Sequence, residues 1–289
     1  MLYRTRVIFE KPDYESLRKA GFTLTDMHFH TRYSDTFTRI SSILKKASNL
    51  GINVAITDHN SIEGVRRAYN NREKINIIPG IEVSCFEGHH ILLYFATFDQ
   101  LEHFYNHHIK GKLSTDPYSC TYIKTQELLE AIKGYECLSV AAHPYGFGHT
   151  GIVHNTKRGL IRESVLHSID AFEVICGTNL RKANELALEL AEAMDKPITG
   201  GSDGHSLGQL GNVVVCTKAK TTKGILNEIR EKRNLVIGRE SKLKFKIMAG
   251  SKLTIKHLPY IEHTIAFRYK NIYKKSFKHY SMRLRSKLP

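Results

Sequence analysis

The sequence predicts an α/β protein built on parallel strands and closed, or nearly closed, into a barrel. Three observations predict it. Short apolar runs of strand type alternate with stretches of helical spacing along most of the 289 residues. These units are too numerous for a small doubly wound sheet to be the only option. Histidines and acids recur at the ends of the strand-like runs, where a parallel barrel gathers its functional groups on one face.

The elements follow in order. Residues 1–23 read as a lead-in and Leu24–His28 as the first strand. Ile40, Ile43, Leu44, Ala47 and Leu50 recur at helical spacing, and Gly51 ends that helix. Asn53–Thr57 reads as a buried strand that ends in Asp58 and His59, and Ser61 caps a helix over Ile62–Tyr69. Ile75–Ser84 and His90–Thr97 read as strands, while the polar segment 99–124 fits no element. A helix over Gln126–Lys133, a strand over Cys137–Ala142 and a glycine-rich loop over Tyr145–Gly159 come next. Ala171–Cys176 is a strand, Leu180–Met194 a long helix and Pro197–Gly201 a short strand. Asn212–Cys216 and Thr222–Lys232 are the last strand and helix of this series.

Length and a 41% hydrophobic fraction fit one large domain, or one domain with an appendage. No apolar run approaches the roughly 18 residues of a membrane span. Acidic residues stand where a signal peptide would have its apolar region. The expectation is a soluble, cytoplasmic protein with no transmembrane segment. Cys85, Cys120, Cys137, Cys176 and Cys216 are odd in number and widely spaced, with no CxxC. That argues against a disulfide framework or zinc ribbon and for buried thiols in a reducing compartment.

The net charge of +15 is uneven, because residues 241–289 hold thirteen Lys and Arg against one acid, Glu262. The expected division is therefore a barrel over 1–240 and a basic aromatic tail over 241–289. Ile261, Ile265, Tyr269, Ile272 and Tyr273 recur in the tail at helical spacing. Three readings stand: a helix packed on the barrel, a surface for RNA or DNA, or a membrane-surface helix.

His28 and His30 lie two apart on the first strand and so share a face. With sixteen histidines in the chain, such a pair arises about once by chance. What lifts it above chance is the rest of the set. His59 follows one strand end, Glu82 another, His143 a third, and Asp203 with His205 a fourth. Asp35 follows the opening pair, and His90 is out of register, at a strand start. His103, His107 and His108 read as solvent-facing. His89 reads as facing away from His90. His149 and His154 lie in the loop after His143, facing substrate or solvent.

The ordered motifs HxH, SD, TDH, GIEVS, HI, AHP and GSDGH resemble the polymerase and histidinol phosphatase (PHP) family over about residues 23–240. Gly208–Arg239 resembles that family's C-terminal extension. The resemblance implies a distorted (β/α)7 barrel of the PHP type, here with a basic C-terminal extension, holding two to three divalent ions. One ion would take His28, His30, Glu82 and Asp203. A second would take Asp35, His59 and His205. A third would take Glu82, His90 and His143. The implied activity is hydrolysis of a phosphomonoester of a small molecule or nucleotide by a metal-bridging hydroxide. Glu82, Asp203 and His205 would carry the catalytic role. RNA or DNA ends, and histidinol phosphate, are alternative substrates, and a nucleic-acid-binding module with a structural metal is the non-enzymatic alternative. Two departures stand out: Thr36 replaces a glycine common after the SD aspartate, and the insertion between His90 and His143 is short.

The donor set suits Zn, Mn or Fe better than Ca or Mg. Arg32, Lys157 and Arg158, in predicted loops, are the cations expected to meet substrate phosphate. No GxSxG elbow, P-loop or GxGxxG points to another chemistry.

Overall fold

A computed structural model describes residues 5–71, 75–241 and 257–285. Of the expected tail, residues 242–256 and 286–289 lie outside the described residues.

Ten strands form one curled sheet. They are β1 (Val7–Ile8), β2 (Thr23–Phe29), β3 (Asn53–Ile56), β4 (Ile77–Ser84), β5 (His90–Phe95), β6 (Cys137–Ala141), β7 (Ala171–Cys176), β8 (Ile198–Gly201), β9 (Val213–Thr217) and β10 (Leu235–Gly238). Their order is β1-β10-β9-β2-β3-β4-β5-β6-β7-β8. The seven strands β2 to β8 curl until the chain leaving β8 meets the end of β2, where Phe29 bridges Gly204. His30 N donates to the Gly204 carbonyl there at 3.1 Å. Lower down, the same edge of β2 pairs instead with β9, from Thr23 to Thr25. The ring is thus closed at one rim and opened at the base by β9, β10 and β1. This is the distorted seven-stranded barrel.

The all-parallel expectation needs correction. β2-β3-β4 and β6-β7-β8 are parallel runs, but β5 is antiparallel to both its neighbours. β9 is antiparallel to β2 and β10. The β4–β5 connection is short, and a short connection can only form a hairpin, since a parallel return needs a dozen or more residues. Reversal also resolves the odd placement of His90. The start of an antiparallel strand lies at the rim where its parallel neighbours end.

Local sequence accounts for the elements. The helix Ile40–Leu50 buries Ile40, Ile43 and Ala47, and Gly51 ends it with φ 64°, a left-handed value glycine adopts without strain. The next helix starts one residue later than expected, running Glu63–Asn70 with Ile62 at the cap position, and Ser61 Oγ still accepts from its first residue, Glu63 N, at 3.4 Å. The loop expected over Tyr145–Gly159 contains the short helix Ile152–Lys157. Segment 99–124, left without an element, begins with the end of the helix Phe98–Phe104 and continues helically to Lys112. β1, β10 and the helix Tyr14–Lys19 are further elements that composition did not mark. All five cysteines are buried and free. Among the described residues no helix is long and apolar enough to cross a membrane.

The C-terminal helices Ile261–Arg268 and Lys274–Arg285, joined by a wider turn, lie against the barrel. Of the predicted stripe only Ile272 is packed. Ile261, Ile265, Tyr269 and Tyr273 are exposed, while Ile272 and Ser276 are buried. Phe267 meets Phe86 and Tyr122, each with ring centres 5.6 Å apart. Asp116 Oδ2 accepts hydrogen bonds from His257 Nδ1 at 2.8 Å and Thr264 Oγ1 at 2.7 Å.

Two predictions follow from this packing. A Cβ at Gly201 would lie 2.2 Å from His28 Cβ, whereas one at Gly134 would meet nothing within 4 Å. Gly201→Ala should cost about 1–3 kcal/mol and Gly134→Ala close to nothing, read by thermal denaturation; equal melting temperatures would contradict the close approach. The second concerns pH. Burial alone would raise the Asp116 carboxyl, but the hydrogen bonds from His257 and Thr264 outweigh it and hold it below its ordinary 3.8. A depressed carboxyl stabilises above its ordinary value, and that contribution is lost as pH falls through the lower folded value. Hydrogen-exchange protection of 257–285 should therefore drop below about pH 3.8 and, in Asp116→Asn, already at neutral pH. Unchanged protection in Asp116→Asn would refute the clamp.

Candidate metal centre

All nine residues expected as metal ligands converge at the closed rim. Asp26, His28 and His30 share one face of β2 and its continuation, with Met27 and Phe29 on the other. Glu82 projects from β4 at the centre of the set. Its Oε2 lies 3.2 Å from His28 Nε2, 3.2 Å from His30 Nε2 and 3.1 Å from His59 Nδ1. Its Oε1 lies 3.0 Å from His90 Nδ1 and 3.2 Å from His143 Nε2. Asp203 Oδ1 approaches His30 Nε2 at 3.1 Å and His28 Nε2 at 3.4 Å. Asp35 Oδ2 approaches His205 Nε2 at 2.9 Å and His59 Nε2 at 3.5 Å.

The side chains fall into three overlapping groups of suitable spacing: His28, His30, Glu82 and Asp203; His30, Asp35, His59 and His205; and His59, Glu82 and His90. The first matches the expected set. The second adds His30, whose Nδ1 turns toward Asp35 at 3.7 Å. The third has His59 where His143 was expected, although His143 reaches the same Glu82 oxygen as His90.

The donor chemistry fits divalent cations. His28 donates Nδ1–H to Glu173 Oε1 at 2.9 Å, and His205 donates Nδ1–H to the Asp203 carbonyl at 2.8 Å. Each ring then offers an Nε2 lone pair to the site. Those lone pairs face carboxylate oxygens, and the Nε2 atoms of His28 and His30 stand 3.1 Å apart. Buried acceptors facing acceptors are unfavourable unless a proton or a cation lies between them. Glu82 Oε2 and His30 Nδ1 are buried without a hydrogen-bond partner. A cation at each convergence point satisfies them.

Charge balance agrees. Burial opposes ionisation, yet the imidazoles hold the carboxyls of Asp35, Glu82 and Asp203 well below their ordinary range. Burial would depress His30, but Asp35, Asp203 and Glu82 outweigh it and hold the ring at about 10. In His59 burial wins, and the ring is pushed down to about 3. Three ionised carboxylates packed among six imidazoles demand positive charge, which protonated rings such as His30 supply until divalent cations replace their protons. His143 and Asp203 also hold positive φ, 29° and 45°, a strain that concentrates at functional positions.

The supports were largely invisible in the sequence. Glu173, in the middle of β7, bonds His28 through one oxygen and accepts His143 N at 2.7 Å through the other. An acid inside the apolar run AFEVIC was its only signal. Asp26 accepts Ser202 N and Gly211 N, each at 2.9 Å, and so ties β2 to the Asp203 loop. Asp58 accepts Thr31 N at 2.6 Å and Ser34 Oγ at 2.8 Å, which fixes the loop carrying Asp35. His89 faces away from His90 and bonds Thr125 and Asn155.

A cavity of about 280 Å³ opens over the cluster. Asp35, Glu82, His143 and His205 line it, with Tyr118, Phe147, Asn179, His257 and Arg268. Arg32, Lys157 and Arg158 do not line it. Arg32 lies over the Tyr33 ring, Lys157 is exposed and Arg158 donates to the Gly148 carbonyl at 2.9 Å. Lys157 is the last residue of the helix Ile152–Lys157 and Arg158 follows it.

The fold and site together define a metal-site α/β barrel of the phosphoesterase class. The PHP domain model matches residues 26–198, more than half of the chain, and the PHP-associated model matches 181–234. The chain belongs to the PHP family. PsfC from Pseudomonas syringae has a similar fold, with TM-score 0.58 and 15% identity over 81% of this chain and 98% of that one. The lesion-specific endonuclease PfuEndoQ from Pyrococcus furiosus matches with TM-score 0.58 and 18% identity, over 74% of this chain and 57% of its own. A two-domain protein from Bacteroides vulgatus, containing a predicted PHP-like metal-dependent phosphoesterase, matches with TM-score 0.53 and 15% identity, over 80% of this chain and 68% of its own. At these identities the likeness is one of fold. No curated protein matches the chain.

Glu173→Ala frees the His28 ring without removing a ligand. It should weaken metal binding about 10–100-fold, measured by competition with a chromogenic chelator. Wild-type affinity in that variant would show that Glu173 only fills space.

Proposed function

We propose that the chain is a metal-dependent phosphoesterase that hydrolyses a phosphomonoester of a small molecule or nucleotide. The observation that carries this reading is the convergence of three ionised carboxylates and six imidazoles on the floor of an open cavity. Divalent ions bound there would neutralise ester oxygens and lower the pKa of water. The nine side chains would hold them, with Glu82 fixing their separation from its buried central position. Asp203 and His205 line the cavity where the ester enters. A structural zinc site would be closed around four ligands; this one has more donors and opens to solvent. Residues 1–240 form the catalytic unit in this reading and 241–289 its extension, whose described residues 257–285 lie at the mouth.

The cavity volume sits at the small end of the range for small-molecule sites. Phe147, 96% exposed at the mouth, offers a ring face to a base or another flat leaving group. A second reading, nucleic-acid ends, is favoured by the exposed Tyr269, Tyr273 and Phe277 of the basic C-terminal helices.

Metal-loaded protein should release phosphate from members of a panel of sugar phosphates, nucleotides and 5′-phosphorylated oligonucleotides. Chelation should abolish release, and Zn or Mn should restore it. Glu82→Gln should lower kcat by more than about a hundredfold. A loaded protein that neither releases phosphate nor cleaves a diester would overturn the proposal.

A further inference from the structure

The basic tail reaches the metal cavity. Arg268, from the helix Ile261–Arg268, is the one lysine or arginine among the described residues that line it. Its position is built rather than incidental. Phe267 beside it packs on Phe86 and Tyr122, and Ile272 one turn further is buried against Gly88. Asp116 holds Thr264, one turn before it, and His257, which lines the same cavity. The guanidinium donates from Nη2 to Ser119 Oγ at 2.6 Å, and Ser119 is also a lining residue. Among the described carboxylates none forms an ion pair with it. A guanidinium carries five donors in a planar fork, a shape that matches phosphate oxygens two at a time.

A phosphate monoester carries three strong acceptor oxygens besides its ester oxygen. Those turned away from the cluster floor need donors from the cavity wall, and apart from Arg268 the described lining residues offer as donors only neutral side chains and imidazoles, beside carboxylates that accept. We propose that Arg268 binds the phosphate of the substrate, so that the C-terminal helix completes the active site in cis. This rests on the phosphoesterase reading of the cavity. It assigns the tail a role in substrate recognition that neither packing alone nor a separate surface requires. Asp116 and Ser119 then act as positioning residues: Asp116 fixes the helix and Ser119 aims the guanidinium.

The test compares wild type, Arg268→Ala, Arg268→Lys and the exposed control Lys45→Ala in the full chain, metal-loaded. Inorganic phosphate is the probe for binding, read by calorimetry. The preferred ester from the panel is the probe for turnover. Arg268→Ala should weaken phosphate binding and raise KM about ten- to a hundredfold, with a smaller change in kcat and unchanged metal content. Arg268→Lys should fall between, keeping charge but not the fork, and Lys45→Ala should match wild type. Unaltered phosphate affinity and KM in Arg268→Ala would overturn the assignment. So would a loss confined to metal content or thermal stability, which marks a structural part. Failure of wild type itself to turn over any ester would count against the phosphoesterase reading, whereas a variant equal to an active wild type counts against Arg268 alone.

Discussion

The structure depends on one electrostatic constraint: Glu82, Asp35 and Asp203 must stay ionised although buried on the cavity floor. Burying one carboxylate costs several kcal/mol unless it is paired. Three within one cluster are tolerable only with matching positive charge. Much of the architecture serves that requirement. Glu173 orients His28 and anchors His143. Asp26 and Asp58 fix the loops bearing Asp203 and Asp35. Burial raises the Asp26 carboxyl to about 6, even though Ser202 and Gly211 hydrogen-bond to it. Such a site gives up stability to hold its ligands in place.

The strand arrangement follows the same logic. A purely parallel ring would put residue 90 at the wrong end of its strand. The β4–β5 hairpin brings the start of β5 beside the end of β4, pairing Ser84 with His90. Glu82 and His90 then share the rim, and one carboxylate can reach both sides of the cluster. Closure through Phe29 and Gly204, rather than through a full strand pair, leaves Asp203 free to turn inward at positive φ.

How much of this the sequence carried depended on range. Period and spacing are local, so the helix Ile40–Leu50 and the strand Ala171–Cys176 were legible to the residue. The cluster was legible because most of its members stand at the ends of apolar runs, and because the motif order resembles a family. Three things were hidden. The reversal of β5 depends on connection length, which hydropathy does not weigh. Glu173 looked like a lone acid in a strand, and its role exists only across 145 positions of sequence, at His28. Arg268 was one basic residue among thirteen in the tail. Of the apolar spacing there only Ile272 is packed, beside Phe267, which the spacing did not mark, while Ile261 and Ile265 stay exposed.

The central claim is that this cluster is a metal centre and not a network of protons. Crystals of the protein grown with Zn or Mn and measured at the absorption edge decide it directly. The account predicts anomalous peaks within the cluster, one between His28, His30, Glu82 and Asp203 and another beside Asp35, His59 and His205. Absence of anomalous scattering at Glu82 in metal-saturated crystals, or peaks only on the surface histidines, would contradict it.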